Sequence, residues 1–259
     1  MFTEERRSKI VELLRASGKV TVAQLSKLFE VSEVTIRKDL DALEQEGKLL
    51  RTHGGAILPT HSRSEWNFLR KIHQREEEKK AIASVAVNMI EDGDTVILDS
   101  SSTNYYLALE MLKRSWKHLT IVTNNVFIAS KLIETNAEII VLGGTIRENS
   151  LSIIGPWTLK FLQEISVDIA FMGTTGFSKE RGFMTPSVVE ADTKRAMVKS
   201  ASRVVVVSDS TKFSRKAFAS FAFPEDVHYL ITDEGIPTNV EEFLREKGVT
   251  VEKVVPGRR

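Results

Sequence analysis

Several polar segments of this 259-residue chain follow runs of apolar, β-branched residues, where buried strands end and binding loops begin. The densest is DSSSTN at residues 99–104, which stands between the strand-like TVILD and the helix-like NYYLALEML. Hydroxyl and backbone N–H groups at such a turn suit an anion, because the helix dipole favours negative charge there. The segment predicts either a phosphate-binding loop or a simple helix cap made by serine and threonine.

Other polar residues follow further strand-like runs, and parallel strands would bring them to the same rim. Lys212, in DSTKF, is a candidate partner for an anion or an ordinary surface lysine. Glu190 either contacts a ligand hydroxyl or places its charge at the start of the helix EADTKRAM. The predicted ligand-binding site comprises Asp99, Ser100, Ser101, Ser102, Thr103, Asn104, Asn124, Gly143, Gly144, Arg147, Glu190 and Lys212.

A second constellation lies in VSEVTIRKDL at residues 31–40. Ser32 is expected as the N-cap of a helix that turns Ile36, Leu40 and Leu43 inward. The opposite face carries cationic and hydroxyl side chains near the N-terminus, which suits a helix that enters the DNA major groove. The predicted DNA contacts are Ser32, Val34, Thr35, Arg37 and Lys38 on this helix, with Lys48, Arg51 and His53 on a following hairpin.

Any solvated helix has a charged outer face. The surrounding elements are therefore needed to decide whether this helix binds DNA. A helix over residues 4–17 is followed by a second helix whose apolar stripe comprises Val22, Leu25, Leu28 and Phe29. A strand from Lys48 then leads to a tight hairpin at Gly54-Gly55. The acidic residues Glu33, Asp39 and Asp41 dilute the positive charge of the third helix. The whole arrangement, rather than the third helix alone, indicates DNA binding.

The rhythm of the sequence changes after residues 57–74, which hold a proline and mixed polar residues without periodicity. Six strand-like runs then alternate with helical segments, at residues 95–99, 119–123, 138–142, 168–172, 203–208 and 227–231. This pattern predicts a mainly parallel, doubly wound α/β domain covered by helices on both faces. We therefore expect an α/β protein with a winged helix-turn-helix domain at residues 1–56, a linker at 57–74 and a larger domain at 75–259.

Composition bounds the function classes. The chain is 42% hydrophobic with a formal net charge of +1, so any attraction for nucleic acid must be local. Cysteine is absent, which excludes disulfides, iron–sulfur clusters and thiolate zinc sites and fits a reducing cytosol. The N-terminus lacks a signal-peptide core, and no apolar run reaches the roughly 18–20 residues that span a bilayer. We expect a cytoplasmic protein that does not associate with membranes.

The motifs TIRKDL and LLRTHGGA together resemble the N-terminal winged helix-turn-helix of DeoR-family transcriptional regulators. The resemblance extends over nearly the whole chain, through EKKAIA, LDSSSTNYYLA, VTNN, LGGTIR, GFMTPSVVEADTKRAM and SDSTKF. It implies an effector domain similar to ribose-phosphate isomerases, one that senses a phosphorylated sugar or related metabolite. The family commonly has glycine where this chain has Ser101, so the serine hydroxyl would have to replace close backbone approach to the phosphate.

Two enzymatic functions are alternatives to this interpretation. An aldose–ketose isomerase needs a carboxylate base and a group that stabilises the enediolate, for which Asp99, Glu190 and Lys212 are candidates. Such an enzyme has no use for a winged helix. A metal hydrolase is disfavoured because no HExxH spacing occurs. The scattered histidines are His53, His61, His73, His118 and His228.

The sequence thus predicts a DNA-binding transcriptional regulator without a cofactor, acting as a repressor of a carbohydrate-metabolism operon. Its expected partners are double-stranded operator DNA and a phosphorylated sugar or polyol. A single small winged helix rarely gives enough specificity, so a homodimer or homotetramer on repeated half-sites is expected.

Overall fold

A computed structural model describes residues 3–45, 48–52, 54–57, 68, 70–147 and 150–257 of the chain. The chain divides into two compact units, Met1–Arg70 and Lys71–Arg259. Residues 71–74, which the sequence pattern assigns to the linker, belong to the second unit. We call them the DNA-binding unit and the sensor unit, after the roles that the sequence predicts for them.

Three helices and three short strands make up the described residues of the DNA-binding unit up to Ile57. They are α1 (Thr3–Ser17), β1 (Lys19–Thr21), α2 (Val22–Phe29), α3 (Glu33–Gln45), β2 (Leu50–Thr52) and β3 (Gly55–Ile57). The predicted hairpin is β2–β3, but β2 begins at Leu50 rather than Lys48. The antiparallel sheet has the order β1-β3-β2. Strand β1 was not predicted, because three residues are too few to show an alternating pattern.

Apolar residues from all three helices form the core of this unit. Ile10, Leu25, Ile36 and Leu40 are all buried, which confirms the predicted inner face of α3. The prediction for Leu28 is wrong, since this side chain is 60% exposed. On a helix it lies about 90° away from the mean direction of the other apolar residues in the stripe.

Gly55 has a steric role in the sheet. A Cβ atom at this position would lie 2.0 Å from the Val20 carbonyl oxygen of β1. The second glycine of the Gly54-Gly55 pair therefore permits the close approach of β1, in addition to shaping the hairpin.

The sensor unit alternates strands and helices. Its first half comprises α4 (Glu76–Ala86), β4 (Thr95–Leu98), α5 (Ser102–Met111), β5 (Thr120–Thr123), α6 (Val126–Leu132), β6 (Glu138–Val141), β7 (Thr145–Arg147) and β8 (Ser152–Ile154). Its second half comprises α7 (Pro156–Gln163), β9 (Val167–Met172), β10 (Gly176–Ser178), β11 (Gly182–Thr185), α8 (Val188–Ser200), β12 (Ala201–Val207), β13 (Ala219–Ala222), β14 (Tyr229–Asp233), α9 (Thr238–Glu246) and β15 (Thr250–Val254).

Seven of these strands form a fully parallel sheet with the order β15-β14-β12-β9-β4-β5-β6. Six of them overlap the six predicted strands, which confirms the doubly wound α/β fold. The strand order reverses at β4, because β5 and β6 lie on one side of it and β9 lies on the other. In sheets of this kind, ligands bind beyond the carboxyl ends of the strands at such a switch point.

The buried β-branched residues of the sheet alternate between two faces, as a sheet covered on both sides requires. Ile97, Ala170 and Val204 belong to a core cluster that includes Met197 of α8 and Leu244 of α9. Within the described residues, none of the helices combines the length and apolar character needed to cross a membrane.

Candidate DNA-binding helix and effector site

Helix α3 begins as the sequence predicts. The Ser32 hydroxyl accepts a hydrogen bond from the Thr35 backbone N–H at 3.2 Å, and the two hydroxyls lie 2.9 Å apart. The Ser32 carbonyl accepts the Ile36 N–H at 3.1 Å. These contacts confirm Ser32 as the N-cap and fix the first turn of the helix.

The solvent side of α3 has the character that groove entry requires. Val34 is 63% exposed, and Lys38 is exposed without an ion-pair partner among the described residues. Arg37 makes a 3.3 Å contact with Glu33, in which both side chains are about half-exposed. Exposed pairs of this spacing contribute little to stability, so DNA could replace Glu33 at low cost.

The charge of Asp39 does not reduce the positive charge on the exposed face of α3. It is 2% exposed, and its two oxygens accept hydrogen bonds from Arg6 Nε at 2.6 Å and Arg7 Nε at 3.0 Å. The aspartate of TIRKDL thus ties α3 to α1, and its charge is compensated within the unit. The sequence pattern could not show this, because the partners lie more than thirty residues earlier.

The hairpin offers less free positive charge than the sequence suggests. Arg51 Nη1 donates to the Arg37 carbonyl at 3.0 Å and to Asp41 Oδ1 at 2.7 Å. Arg51 therefore serves mainly to hold the hairpin against α3. Lys48 is exposed, and His53 lies outside the described residues.

At the switch point of the large sheet, Asp99 is fully buried and surrounded by donors. Its Oδ1 accepts from the Ser101 N–H at 2.9 Å and from Asn104 Nδ2 at 2.8 Å. Its Oδ2 accepts from the Gly173 N–H at 2.8 Å and forms a short ion pair with Lys194. Through these contacts Asp99 links β4, β9 and α8, and both of its carboxylate oxygens are already engaged within the protein.

The Ser101 hydroxyl caps α5 by accepting the Asn104 N–H at 3.1 Å. Gly173 makes room for it, since a Cβ atom there would lie 2.2 Å from the Ser101 Cβ. The serine that departs from the family pattern is thus used within the fold. Helix geometry leaves the N–H groups of Ser102 and Thr103 without intrahelical acceptors. Ser100 and Ser102 are half-buried beside them.

The loops after β5 and β6 are held to the β7–β8 hairpin. Asn124 Nδ2 donates to the Ile153 carbonyl at 3.1 Å, while its buried Oδ1 has no partner among the described residues. The glycine pair after β6 contacts Thr158 of α7. The Gly143 carbonyl accepts the Thr158 hydroxyl at 2.7 Å, and a Cβ at Gly144 would lie 2.5 Å from the same hydroxyl. Gly144 therefore allows close packing, whereas a Cβ at Gly143 would meet no atom within 4 Å.

Glu190 and Arg147 meet, as their predicted common site requires. Arg147 Nη1 lies 3.5 Å from Glu190 Oε2, which also accepts the Thr185 hydroxyl at 3.1 Å. Glu190 Oε1 accepts the Ser150 hydroxyl at 2.7 Å. Glu190 is in the first turn of α8, so its charge also favours that helix terminus.

Lys212 lies in the turn after β12. Its Nζ is 3.0 Å from Oδ2 of Asp209, a carboxylate that also accepts from Thr211. Burial opposes ionisation of Asp209, but the charge of Lys212 and the hydrogen bonds from Thr211 and Lys212 outweigh it and lower its pKa. Lys212 is thus a half-buried cation beside an ionised carboxylate.

Lys71, which the sequence did not single out, interacts with Glu190, Arg147 and Lys212. The pKa of Lys71 is lowered first by loss of hydration around its ammonium, even though much of the side chain is exposed. Glu190 opposes this effect, while Lys212, Arg215 and Arg147 add to it by repulsion. The geometry places Lys71 in the same region, because the adjoining Ile72 carbonyl accepts the Tyr106 hydroxyl of α5 at 3.3 Å. Arg75 lies 3.5 Å from Asp233, which in turn accepts the Ser210 N–H, two residues before Lys212. We therefore treat these five groups as one neighbourhood.

The charges of this neighbourhood do not cancel. Arg147 is paired with Glu190 and Lys212 with Asp209. In the described part of the chain, Lys71 and Arg215 have no carboxylate within ion-pair distance. We call Lys71, Arg147, Lys212 and Arg215 the rim cations. Among the described groups, these four cations face two paired carboxylates, Glu190 and Asp209, which leaves a surplus of about two positive charges. That surplus matches the charge of a phosphate monoester.

Comparison with known proteins assigns both units. Residues 6–62 match the DeoR-like helix-turn-helix domain, and residues 74–234 match the DeoR C terminal sensor domain. The chain belongs to the DeoR family. It is therefore a DNA-binding transcriptional regulator, and its second unit is a DeoR sensor domain.

Three curated relatives align with this chain over nearly their full lengths. The HTH-type transcriptional regulator GolR of Listeria innocua is 34% identical over 252 residues, covering 97% of this chain and 98% of that protein. The transcriptional repressor AccR of Agrobacterium fabrum is 36% identical over 95% of this chain and 97% of its own length. The glycerol-3-phosphate regulon repressor of Escherichia coli is 33% identical over 97% and 99%.

These DeoR-family relatives are regulators rather than enzymes, which disfavours the isomerase alternative. A ribose 5-phosphate isomerase from Methanocaldococcus jannaschii superposes with a TM-score of 0.40 and 17% identity, over 54% of this chain and 55% of its own. That likeness is too distant to carry a functional argument. Among the described residues, no group of three or more histidine or acidic side chains is placed to hold a metal ion.

Proposed function

We propose that this DeoR-family regulator is a repressor of genes for carbohydrate use and that a phosphorylated sugar or polyol releases it from its operator. The observation that carries the effector class is the surplus positive charge of the rim cations. A phosphate monoester carries about −1.5 to −2 at neutral pH and would compensate it. The name of the Escherichia coli relative, a glycerol-3-phosphate regulon repressor, supports the same ligand class.

The sugar portion would occupy the carboxyl ends of β4, β5 and β9. The buried side-chain oxygens of Asn104 and Asn124 have no hydrogen-bond partner among the residues that the structure describes, so they are suited to ligand hydroxyls. The Ser102 and Thr103 N–H groups at the start of α5 add donors and a favourable dipole. Asp99, by contrast, would support this site through its ion pair with Lys194, without touching the ligand.

Operator recognition would be carried by α3. Arg37 and Lys38 are placed to reach bases or phosphates, Val34 to touch a thymine methyl group, and the Ser32–Thr35 cap to meet a phosphate. One such helix reads a single half-site, so we propose a homodimer or homotetramer on a repeated operator. A repressor of this kind shares a compartment with the chromosome, which supports a cytoplasmic location.

The effector class can be tested by thermal unfolding of the full-length chain at constant ionic strength. The panel is glycerol 3-phosphate, ribose 5-phosphate, fructose 1-phosphate and galactose 6-phosphate, each against its unphosphorylated form. A ligand that binds only the folded state stabilises it by about 2.7 kcal/mol at a hundredfold excess over Kd. At least one phosphorylated compound should stabilise the sensor unit, and the neutral forms should not.

Matched variants localise the effect. Lys212→Gln should weaken the response, whereas Lys160→Gln on the exposed side of α7 should leave it unchanged. A response to a neutral sugar of equal size would show that the proposed ligand class is wrong, while the assignment as a regulator would stand on the domain matches.

A further inference from the structure

The chain enters the sensor unit through a segment whose backbone is held by a buried lysine. Lys79 of α4 is 2% exposed, and its ammonium donates to the carbonyl oxygens of Lys71 and Gln74 and, at 3.3 Å, to that of Ile72. Residues 70–73 are helical, and carbonyls at the end of a helix lack partners of their own. A single ammonium therefore fixes the backbone of residues 71–74, which we call the entry segment.

Residues next to the two loops that would surround the effector contact the entry segment and the residue after it, Arg75. Tyr106, one turn into α5, donates its hydroxyl to the Ile72 carbonyl at 3.3 Å. Asp233 is in ion-pair contact with Arg75 at 3.5 Å. The same carboxylate accepts from both the N–H and the hydroxyl of Ser210, at 2.7 and 2.6 Å, two residues before Lys212. A shift in either loop would therefore displace the entry segment through these contacts.

Lys71 is unusual among the rim cations because of where it stands in the chain. Arg147, at the end of β7, and Lys212 and Arg215, after β12, all lie within the sensor unit. Lys71 is the first residue of that unit and directly follows Arg70, the last residue of the DNA-binding unit. No carboxylate of the described residues lies within ion-pair distance of its side chain.

We propose that Lys71 binds the anionic group of the effector and thereby transmits effector binding to the segment that leads to the DNA-binding unit. This inference rests on the proposed function and adds its route of regulation. An effector changes the affinity for DNA only through contacts that differ between the two states. The contact with Lys71 supplies such a difference, because it acts on the one rim cation that is covalently next to the DNA-binding unit.

Two roles can then be separated. A cation that only holds phosphate changes the effector concentration needed for release, but at saturation the operator is still released fully. Lys71 should affect both quantities. Loss of its charge should weaken effector binding about tenfold and also leave residual operator affinity at saturation. Lys212→Gln should weaken binding to a similar degree and preserve full release.

The experiment uses the full-length chain with Lys71→Gln, Lys71→Arg, Lys212→Gln and Lys160→Gln. Stabilisation by inorganic phosphate and by glycerol 3-phosphate is measured at fixed ionic strength. Operator affinity is then measured with and without saturating sugar phosphate, using the compound that gives the largest shift for the unmodified chain. Lys71→Gln should bind operator normally without effector, respond about tenfold more weakly and release incompletely. Lys71→Arg keeps the charge and should restore both responses.

Normal affinity and full release by Lys71→Gln would overturn the inference and leave the proposed function intact. Weakened affinity with full release would make Lys71 an ordinary ligand and would also overturn it. If the unmodified chain responds to none of the phosphorylated compounds, the proposed effector class and this inference both fail. Because the Lys71 side chain is exposed and its backbone contacts remain, Lys71→Gln is expected to fold.

Discussion

The Asp99 carboxylate and the Lys194 ammonium form a buried ion pair that joins the end of β4 to the middle of α8. The Lys194 ammonium also donates to the Gly173 carbonyl at 2.9 Å, beyond β9, and lies 4.9 Å from the centre of the Phe221 ring. This one ion pair thus holds together the ends of β4 and β9 and the middle of α8. A buried charge that loses its partner is strongly destabilising, so this pair sets the integrity of the proposed effector site.

Asp99→Asn should destabilise the sensor unit by about 3 kcal/mol in the absence of any effector, because it leaves the Lys194 charge buried and unpaired. The double variant Asp99→Asn/Lys194→Met should lose less than the sum of the two single losses, as expected for residues in contact. Denaturant unfolding of the three variants measures this coupling. If Asp99→Asn kept full stability and lost only effector affinity, Asp99 would be a ligand after all.

Asp39→Asn should destabilise the DNA-binding unit by about 3 kcal/mol, because Arg6 and Arg7 lose a buried shared partner. The matched control is Asp41→Asn, whose carboxylate is 59% exposed in its pair with Arg51 and should contribute less than about 1 kcal/mol. Thermal unfolding followed by calorimetry should show the loss in one transition, with the sensor unit unaffected. Equal effects of the two substitutions would contradict the buried role of Asp39.

Arg37→Ala should cost about 1–3 kcal/mol of operator affinity and relax preference at one base pair, if Arg37 pairs with a base. Lys38→Ala should instead weaken binding to all sequences and lower the salt dependence by about one counterion. Lys160→Ala in the sensor unit serves as the control. Operator titrations over a range of salt concentrations distinguish the two roles, and unchanged affinity in both variants would remove α3 from the interface.

The lowered pKa of the buried Lys79 predicts that the free energy of unfolding depends on pH. Burial, partly opposed by the charge of Asp209, lowers the Lys79 pKa from 10.5 to about 8. Between these two values the unfolded chain binds more protons than the folded one, so this group makes the unfolding free energy rise with pH. The slope should approach about 1 kcal/mol per pH unit. Lys79→Met should abolish this slope, and Lys80→Met, at the exposed neighbouring position, should keep it. A slope unaltered in Lys79→Met would contradict the lowered pKa.

The sequence predicted the central strands because they are buried on both faces and therefore read as continuous β-branched runs. It missed β15, since TVEKV lies at the edge of the sheet and its consecutive exposed residues Glu252 and Lys253 interrupt the apolar run. Strands β7, β8 and β10 have three residues each, too few for a pattern to emerge. The four-residue strands β11 and β13, GFMT and ASFA, lack the β-branched residues that mark β4, β5 and β6.

The candidate site stays a prediction, although some of its residues do lie together. Arg147 and Glu190 approach to 3.5 Å, but from the end of the antiparallel strand β7 and the first turn of α8 rather than from the rim of the parallel sheet. Lys194 escaped notice since a lysine in the helical segment EADTKRAM looks like a solvated surface residue. Lys71 was assigned to the linker, and its position beside the rim depends on Lys79, whose contacts only the folded backbone reveals.

The central claim, that the sensor unit couples a phosphorylated effector to operator release, is tested most directly by measuring the coupling in both directions. Linkage requires that saturating effector weaken operator affinity by the same factor by which saturating operator weakens effector affinity. With the phosphorylated compound that stabilises the full-length chain most, we expect equal factors of about 5- to 150-fold. A stabilising effector with factors near one in both titrations would contradict the account.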